Sequence, residues 1–244
     1  QVNYIKFANG GHTVQPLKVI GECSKDRTGT TVTFMPDETI FKETTTFDYD
    51  ILKTRVRELA FLNKGLRIIL MDDRTSKKDT FVYDGGLKEF VAYVNKNRTP
   101  IHDDIVYVEG KENDISIEVA LQYNDSYNST VYSFVNNIIT PEGGTHEDGV
   151  KLALTRIINT YAKSNKILKD NDSLSGEDVR EGLTAIVSVK LSEPQFEGQT
   201  KAKLGNSEIR GFVETSTNEN LTAFLEENPA QAKIIIEKCI KAAR

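Results

Sequence analysis

Residues 115–123 read ISIEVALQY, and this stretch sets the fold class of the chain. Apolar side chains occupy alternate positions with mostly polar ones between them, which is typical of a strand with one buried face. Turn residues follow at 124–128. The β-branched run 130–138 then predicts a partner strand that completes a hairpin. This part of the chain is therefore expected to be built on a sheet.

Helical patterns surround this predicted sheet. Apolar residues recur at helical spacing in segments 51–62, 87–94, 150–161, 209–225 and 234–240. The polar stretch 215–220 predicts an irregularity within the fourth of these helices. Together with the strands, these segments predict an α+β chain.

Capping signals place the starts of several helices. Asp48 or Asp50 precedes the first helix. The pairs Thr145/Asp148 and Ser175/Asp178 have the spacing of a capping box. Pro229 suits the first turn of the last helix.

The segment before residue 97 predicts further strands at 2–7, 14–21, 30–34, 66–71 and 80–83. A polar run that ends in Pro100 follows the short helix at 87–94. We place a domain boundary there, between residues 97 and 98. Because the chain begins with Gln1 and is already strand-like at Val2, we expect it to be a fragment of a longer protein.

Composition excludes several classes of protein. The chain has 244 residues, 38% of them hydrophobic, and a net charge of −5, so bulk charge does not favour nucleic-acid binding. Cys23 and Cys239 lie too far apart for metal-ligand spacing, which favours two free thiols, and no metal site is predicted. The sequence shows neither a membrane-spanning apolar run nor a signal peptide. We therefore expect a cytoplasmic protein that does not enter a membrane.

The segment QFEGQTKAKLG, residues 195–205, is the strongest candidate for chemistry. It is a glycine-bearing loop with a lysine, Lys201, that leads into a helix. A lysine beside backbone N–H groups near a helix N-terminus suits phosphate binding. On these residues alone the pattern is weak, and a solvated loop lysine is the favoured interpretation.

Five segments in this order resemble the ATPase subunits of bacterial type IIA topoisomerases. These segments are 28–30 (TGT), 57–63 (RELAFLN), 143–147 (GGTHE), 180–183 (REGL) and 195–205. The resemblance covers essentially the whole chain. Segments 57–63 and 195–201 favour the B subunit of DNA gyrase, and the B subunit of topoisomerase IV remains the alternative.

The resemblance implies a fold and a domain organisation. Residues 1–97 would be the C-terminal part of an ATPase sandwich of the gyrase, chaperone, kinase and mismatch-repair type. Residues 98–244 would be a transducer domain with a ribosomal-protein-like βαβ fold. The parent enzyme would use ATP binding and hydrolysis to drive DNA strand passage and negative supercoiling.

The same resemblance implies cofactors and an expected loss of activity. The cofactors are ATP and Mg²⁺. The family's catalytic glutamate, its magnesium-binding asparagine, its adenine-reading aspartate and its glycine-rich lid match nothing in these 244 residues. We expect them upstream, so this chain alone is predicted not to hydrolyse ATP.

Four residues are carried over from the family as nucleotide contacts. Lys201 and Gln199 match the lysine and glutamine that reach the γ-phosphate, and Lys201 would stabilise charge that develops on it. Thr30 matches a threonine near adenine, and Val32 would line the same pocket. A β-branched residue in a strand is the alternative for Thr30, and a buried strand valine needs no ligand to explain Val32.

The resemblance also implies partners. These are the gyrase A subunit, a second copy of the B subunit, and double-stranded DNA held in a cavity between two transducers. Lys151, Arg156, Lys163 and Lys166 lie on or just after the helix from Thr145 and are candidate phosphate contacts. A solvated helix face is the alternative for these four. A non-catalytic, DNA-enclosing clamp is the alternative function for the chain.

Overall fold

The computed structural model describes residues 1–243, and these form two units, one of residues 1–47 and one from Asp48 onward. The first unit opens with an antiparallel hairpin of β1 (Val2–Ala8) and β2 (His12–Gly21). The turn between them has positive φ angles at Asn9, Gly10 and Gly11, which asparagine and glycine tolerate best. The strands predicted at 2–7 and 14–21 are confirmed.

The strand predicted at residues 30–34 is wrong. This stretch is irregular and exposed, with 78% of Val32 accessible to solvent. Phe34 contacts Phe47 edge-on, with ring centroids 5.9 Å apart. A β-branched run forms a strand only where another strand accepts its hydrogen bonds. Among residues 1–243, no strand pairs with this stretch.

The second unit contains a five-stranded sheet and a separate two-stranded hairpin. The sheet strands are β5 (Val106–Glu112), β6 (Ile115–Tyr123), β7 (Thr130–Val135), β8 (Ile138–Ile139) and β9 (Leu183–Lys190), in the spatial order β5-β6-β9-β7-β8. The hairpin consists of β3 (Ile68–Asp72) and β4 (Lys77–Phe81). The strands expected near 66–71, 80–83 and 115–123 are confirmed.

The hairpin predicted between 115–123 and 130–138 is wrong. Strand β9 lies between β6 and β7, antiparallel to β6 and parallel to β7. The segment 130–138 is itself divided, because a turn at Asn136–Asn137 separates β7 from β8. A strand that returns from much later in the chain leaves no local pattern in the sequence near residue 125.

Helices cover both faces of this sheet. The helices are α1 (Tyr49–Leu62), α2 (Leu87–Val94), α3 (Thr145–Ser164), α4 (Gly176–Arg180), α5 (Ser207–Glu227) and α6 (Pro229–Ala242), with a 3₁₀ turn at Asn95–Asn97. Ala120, Phe134 and Ile186 pack against α1 and α2. Val119 and Val187 pack on the other face against α3, α5 and α6. These layers confirm the α+β class, and β6 is buried on both faces rather than one.

The caps of the helices match only part of the predictions. Asp48 caps α1 by accepting from the N–H groups of Asp50 and Ile51, and Ser175 and Asp178 form the predicted capping box.

The box predicted at Thr145 is wrong, because Gly144 occupies the N-cap. The irregularity predicted at 215–220 is also wrong, since α5 is continuous there.

A buried polar network lies beside the predicted domain boundary. Asn95 donates to Gln122 and accepts from Asn124 and Thr184, with separations of 3.1, 3.1 and 2.7 Å. Arg98 also donates to the Thr184 hydroxyl. The chain from α2 into the sheet is therefore held by specific hydrogen bonds. The division at 97/98 stays a prediction.

Helices able to cross a membrane do not occur among residues 1–243, because none is both long and apolar enough.

Candidate functional site

Residues 195–205 form a narrow hairpin. Gly205 N–H donates to the Gln195 carbonyl at 2.7 Å, and Glu197 N–H donates to the Lys203 carbonyl at 3.0 Å. Phe196 and Leu204 form an antiparallel bridge between these two bonds. Two paired arms therefore support the tip of the loop at a fixed spacing. We call residues 195–205 the phosphate hairpin, after the phosphate contacts predicted at its tip.

The tip of the phosphate hairpin carries the two predicted phosphate contacts. Lys201 N–H donates to the Gly198 carbonyl at 3.1 Å, which closes a tight turn around Gln199. Gln199 and Lys201 are both exposed, and Lys201 adopts a left-handed φ of 56°. Lys203 forms an ion pair with Glu197 at 3.1 Å, whereas Lys201 has no ion pair to any residue that the structure describes.

Asn206 fixes the base of the phosphate hairpin. Its side-chain oxygen accepts from Gln195 N–H at 2.6 Å, and its amide donates to the Glu193 carbonyl at 3.2 Å. The amide also reaches Glu208 at 2.8 Å. Helix α5 begins one residue later, but the Asn206 side chain makes no cap to that helix. The buried side chain holds the base of the hairpin instead.

The second arm of the phosphate hairpin is bonded to the segment that precedes α3. Leu204 N–H donates to the Gly143 carbonyl at 3.2 Å, and Thr145 N–H donates to the Leu204 carbonyl at 3.1 Å. A third bond runs from Glu142 N–H to the Ala202 carbonyl at 3.0 Å. These bonds join the hairpin to the N-terminal end of α3.

A buried polar cluster lies directly after this junction. His146 is fully buried, and its Nε2 is 3.2 Å from the Thr140 hydroxyl. Ser133 donates to Glu147 at 2.7 Å, and Glu147 pairs with Lys151 at 2.5 Å. Burial lowers the pKa of His146 to about 4, so the ring is neutral near pH 7.

The remaining predicted nucleotide contacts lie in the first unit. Thr30 and Val32 are both exposed and belong to the irregular stretch after β2. The structure therefore brings Gln199 and Lys201 together on one tip. It places Thr30 and Val32 in a different unit.

The four basic candidates for DNA contact have different surroundings. Lys151 pairs with Glu147, and Arg156 pairs with Glu214 of α5 at 2.7 Å. For Lys163 and Lys166, no carboxylate lies within ion-pair distance among residues 1–243. At about 100° per residue, Arg156 and Lys163 share a face of α3, and Lys151 lies about 140° away. The four therefore do not form one stripe.

Sequence reasoning missed the residues that hold the phosphate hairpin. Gly144, Leu204 and Asn206 are buried. Gly144 meets Leu204, and Asn206 meets Gln195, only in the folded chain. The glycine pair at 143–144 was the only visible signal, since paired glycines mark close approach of backbone. As for metals, no group of three or more His, Cys, Asp or Glu side chains among the described residues is arranged to hold an ion.

Comparison with known proteins gives a consistent family. A family model described as DNA gyrase B matches residues 86–244. The DNA gyrase B subunit of Clostridium acetobutylicum is 54% identical over 236 residues, which cover 96% of this chain and 37% of the relative. That of Bacillus mycoides is 54% identical over 246 residues, covering 100% of this chain and 60% of the relative. The chain thus spans less than two thirds of the relatives it matches.

Solved structures agree in fold. The ATPase domain of Thermus thermophilus gyrase B, in complex with an aminocoumarin, matches with a TM-score of 0.84 and 36% identity, over 99% of this chain and 65% of that one. The ATP-binding domain of Francisella tularensis topoisomerase IV, in complex with a small-molecule inhibitor, matches with a TM-score of 0.84 and 28% identity. That match covers 98% of this chain and 67% of the other.

Proposed function

The chain belongs to the DNA gyrase B family, and on that premise we propose that it works within the ATP-hydrolysing subunit of a DNA topoisomerase. The relatives at 54% identity are named as the B subunit of DNA gyrase, which supports ATP-driven negative supercoiling as the reaction of the whole protein. Within that protein, this chain would relay the state of the bound γ-phosphate.

The observation that carries this proposal is the phosphate hairpin. Its tip presents Lys201, an exposed cation whose neighbour Lys203 is already paired with Glu197. Both arms are held by backbone hydrogen bonds, so the ammonium group is presented from a supported loop. A cation aimed at a phosphoryl group stabilises the negative charge that develops as the bond to the leaving group breaks.

The hairpin also provides a route by which phosphate binding can move other elements. Its second arm is bonded to residues 142–145, which lead directly into α3. Helix α3 packs against α5 in the larger core. A pull on Lys201 by a γ-phosphate would therefore be transmitted to both helices, as in other nucleotide switches.

The other parts of the proposal concern cofactors, partners and location. The cofactors are ATP and Mg²⁺. Gln199 and Lys201 would lie at the γ-phosphate of ATP, and Thr30 and Val32 would lie near its base. The partners are the gyrase A subunit, a second B subunit, and double-stranded DNA. Lys163 and Arg156 are the preferred DNA contacts because they share one face of α3. The location is the cytoplasm, where bacterial chromosomal DNA and ATP are found.

The test is the substitution Lys201→Ala in the intact B subunit, in complex with the gyrase A subunit. Loss of one preorganised electrostatic donor costs about 10²-fold or more in kcat. Lys203→Ala is the matched control, because it removes a lysine from the same hairpin that is already paired with Glu197. We expect ATPase and supercoiling rates to fall in the first variant and to stay within about twofold in the second. Normal rates in Lys201→Ala would refute the proposal.

Two further measurements separate the alternatives. A non-catalytic clamp would still close on a non-hydrolysable ATP analogue when Lys201 is replaced, with DNA capture unchanged. A topoisomerase IV would decatenate linked circles and would not introduce negative supercoils. The proposed gyrase function requires negative supercoiling by the intact holoenzyme.

A further inference from the structure

The turn between β7 and β8 consists of two asparagines in left-handed conformation. Asn136 and Asn137 have φ angles of 48° and 65°. Two consecutive positive φ angles are typical of the tightest hairpin turns, where asparagine is among the few side chains that fit without large strain. The backbone geometry explains why asparagine suits the turn, but both amides also make specific contacts.

Asn136 holds the end of β9. Its side-chain amide donates to the Leu191 carbonyl at 2.8 Å, and its side-chain oxygen accepts from Leu191 N–H at 3.0 Å. The backbone N–H of Asn136 also donates to the Val189 carbonyl at 2.9 Å. The side chain thus acts as one more strand residue and fixes the chain four residues before the phosphate hairpin begins at Gln195.

Asn137 contacts α1 from the other side of the turn. Arg55 of α1 donates to the Asn137 carbonyl and also pairs with Glu58 at 2.8 Å. The Asn137 amide donates to the side-chain oxygen of Asn63, which follows the last residue of α1, at 3.2 Å. Two adjacent residues therefore connect α1 with the strand that enters the phosphate hairpin.

We infer that the Asn136–Asn137 turn is a positioning element that fixes the position of the phosphate hairpin relative to α1. This inference rests on the proposed function, because it assigns the turn a role in placing Lys201. Asn136 would act through the hairpin by holding Leu191, and Asn137 would act through its contacts with Arg55 and Asn63. Their effect on the rate follows from the steep dependence of catalysis on placement, since an error of about 1 Å costs up to about 10²-fold.

The first test is Asn136→Gly in the intact B subunit. Glycine retains the left-handed backbone and removes only the amide that holds Leu191. We expect kcat for ATP hydrolysis to fall about tenfold with the KM for ATP unchanged, because the hairpin contributes mainly in the transition state. Asn113→Gly is the control: Asn113 has φ 53° in the exposed β5–β6 turn, and its side chain makes no hydrogen bond among the described residues.

The second test is a double-mutant cycle with Lys201→Ala. If Asn136 acts by placing Lys201, Asn136→Gly will reduce kcat no further once Lys201 is absent. Additive losses would overturn the inference and leave the proposed function intact. A Lys201→Ala variant with normal activity would instead refute the proposed function, and the inference with it.

Two further variants, measured for both kcat and thermal unfolding, distinguish a loss of positioning from a loss of folding. Asn136→Asp keeps the acceptor for Leu191 N–H but replaces the donor to the Leu191 carbonyl by a second acceptor, so it should be slower than the native protein. Arg55→Gln removes the contact on the α1 side, and we expect it to lower kcat in a manner that is also non-additive with Lys201→Ala. If both variants have native kcat while thermal unfolding is unchanged, the turn does not position the hairpin.

Discussion

Gly144 and Leu204 form a parallel β-bridge in which the two backbones approach so closely that a side chain on Gly144 has no room. A Cβ built on Gly144 would lie 2.5 Å from both the nitrogen and the oxygen of Leu204. Gly144 also has a φ of 132°, which L-residues rarely adopt. The contact joins the phosphate hairpin to the start of α3, so a single glycine permits that junction.

Gly144→Ala should therefore be strongly destabilising. We expect a loss of about 3 kcal/mol or more in the free energy of unfolding, because backbone atoms must move to relieve the clash and the φ angle is strained. Urea denaturation of the two proteins measures the loss. Gly211→Ala is the control, since a Cβ added to this helical glycine of α5 would meet nothing within 4 Å. It should stabilise by about 0.5–1 kcal/mol. Equal effects at the two glycines would contradict the proposed junction.

Two buried threonines should respond in opposite directions to replacement by valine. The Thr184 hydroxyl bonds to Asn95, Asn124 and Arg98, whereas the Thr217 hydroxyl has no partner among the described residues. Thr184→Val leaves buried polar partners unsatisfied and should cost about 1–3 kcal/mol. Thr217→Val removes an unsatisfied hydroxyl and should be neutral or stabilising by about 1 kcal/mol. Chemical denaturation tests both, and a large loss in Thr217→Val would show an unrecognised partner.

His146 should make stability depend on pH below neutrality. Burial lowers its pKa from 6.5 to about 4 in the folded protein. Between these values the unfolded chain binds the extra proton, so the free energy of unfolding falls as the pH drops from 6.5 towards 4. The full effect is roughly 3 kcal/mol.

The variant His146→Gln isolates this contribution. It retains a side chain able to bond the Thr140 hydroxyl and cannot titrate. We expect the difference in unfolding free energy between pH 7 and pH 4 to be smaller in the variant than in the native protein. His102, whose pKa burial also lowers, is present in both proteins and cancels in the comparison. Parallel pH profiles for the two proteins would show that His146 does not carry the effect.

Charge reversal at Arg156 tests the proposed DNA contact. In the intact holoenzyme, Arg156→Glu should weaken DNA capture and lower the slope of log K against log salt by about one, as expected for one lost phosphate contact. Lys233→Glu on α6 is a control with the same change in charge on an exposed side chain. If both variants have the native salt slope, Arg156 belongs to a solvated face and serves only its ion pair with Glu214.

Local patterns were sufficient for most elements of the second unit. The alternation at 115–123 identified β6, and the apolar spacing at 51–62 identified α1, because side-chain period alone distinguishes strand from helix. Ser175 and Asp178 predicted their capping box since both partners lie within four residues. Each of these features is decided by neighbours in the chain.

Several errors arose where contacts with distant segments, or the lack of a partner strand, decided the structure. Thr145 has the spacing of a capping residue, but its N–H is bonded to Leu204, 59 residues later, and Gly144 takes the cap position. The stretch 30–34 has strand composition and no partner among the described residues. Strand β9 enters between β6 and β7, which no turn signal near residue 125 reveals.

The family and the α+β class were readable from the amino-acid sequence, since these depend on the order of side chains along the chain. The phosphate contacts at Gln199 and Lys201 stay predictions. The way the phosphate hairpin is held became visible only in the folded molecule. Leu204 against Gly144, Asn206 beneath Gln195, and the Asn136 amide on Leu191 are pairs separated by 11 to 60 residues. Such pairs form because buried backbone groups must find hydrogen-bond partners, and the folded chain, not the local sequence, brings those partners within reach.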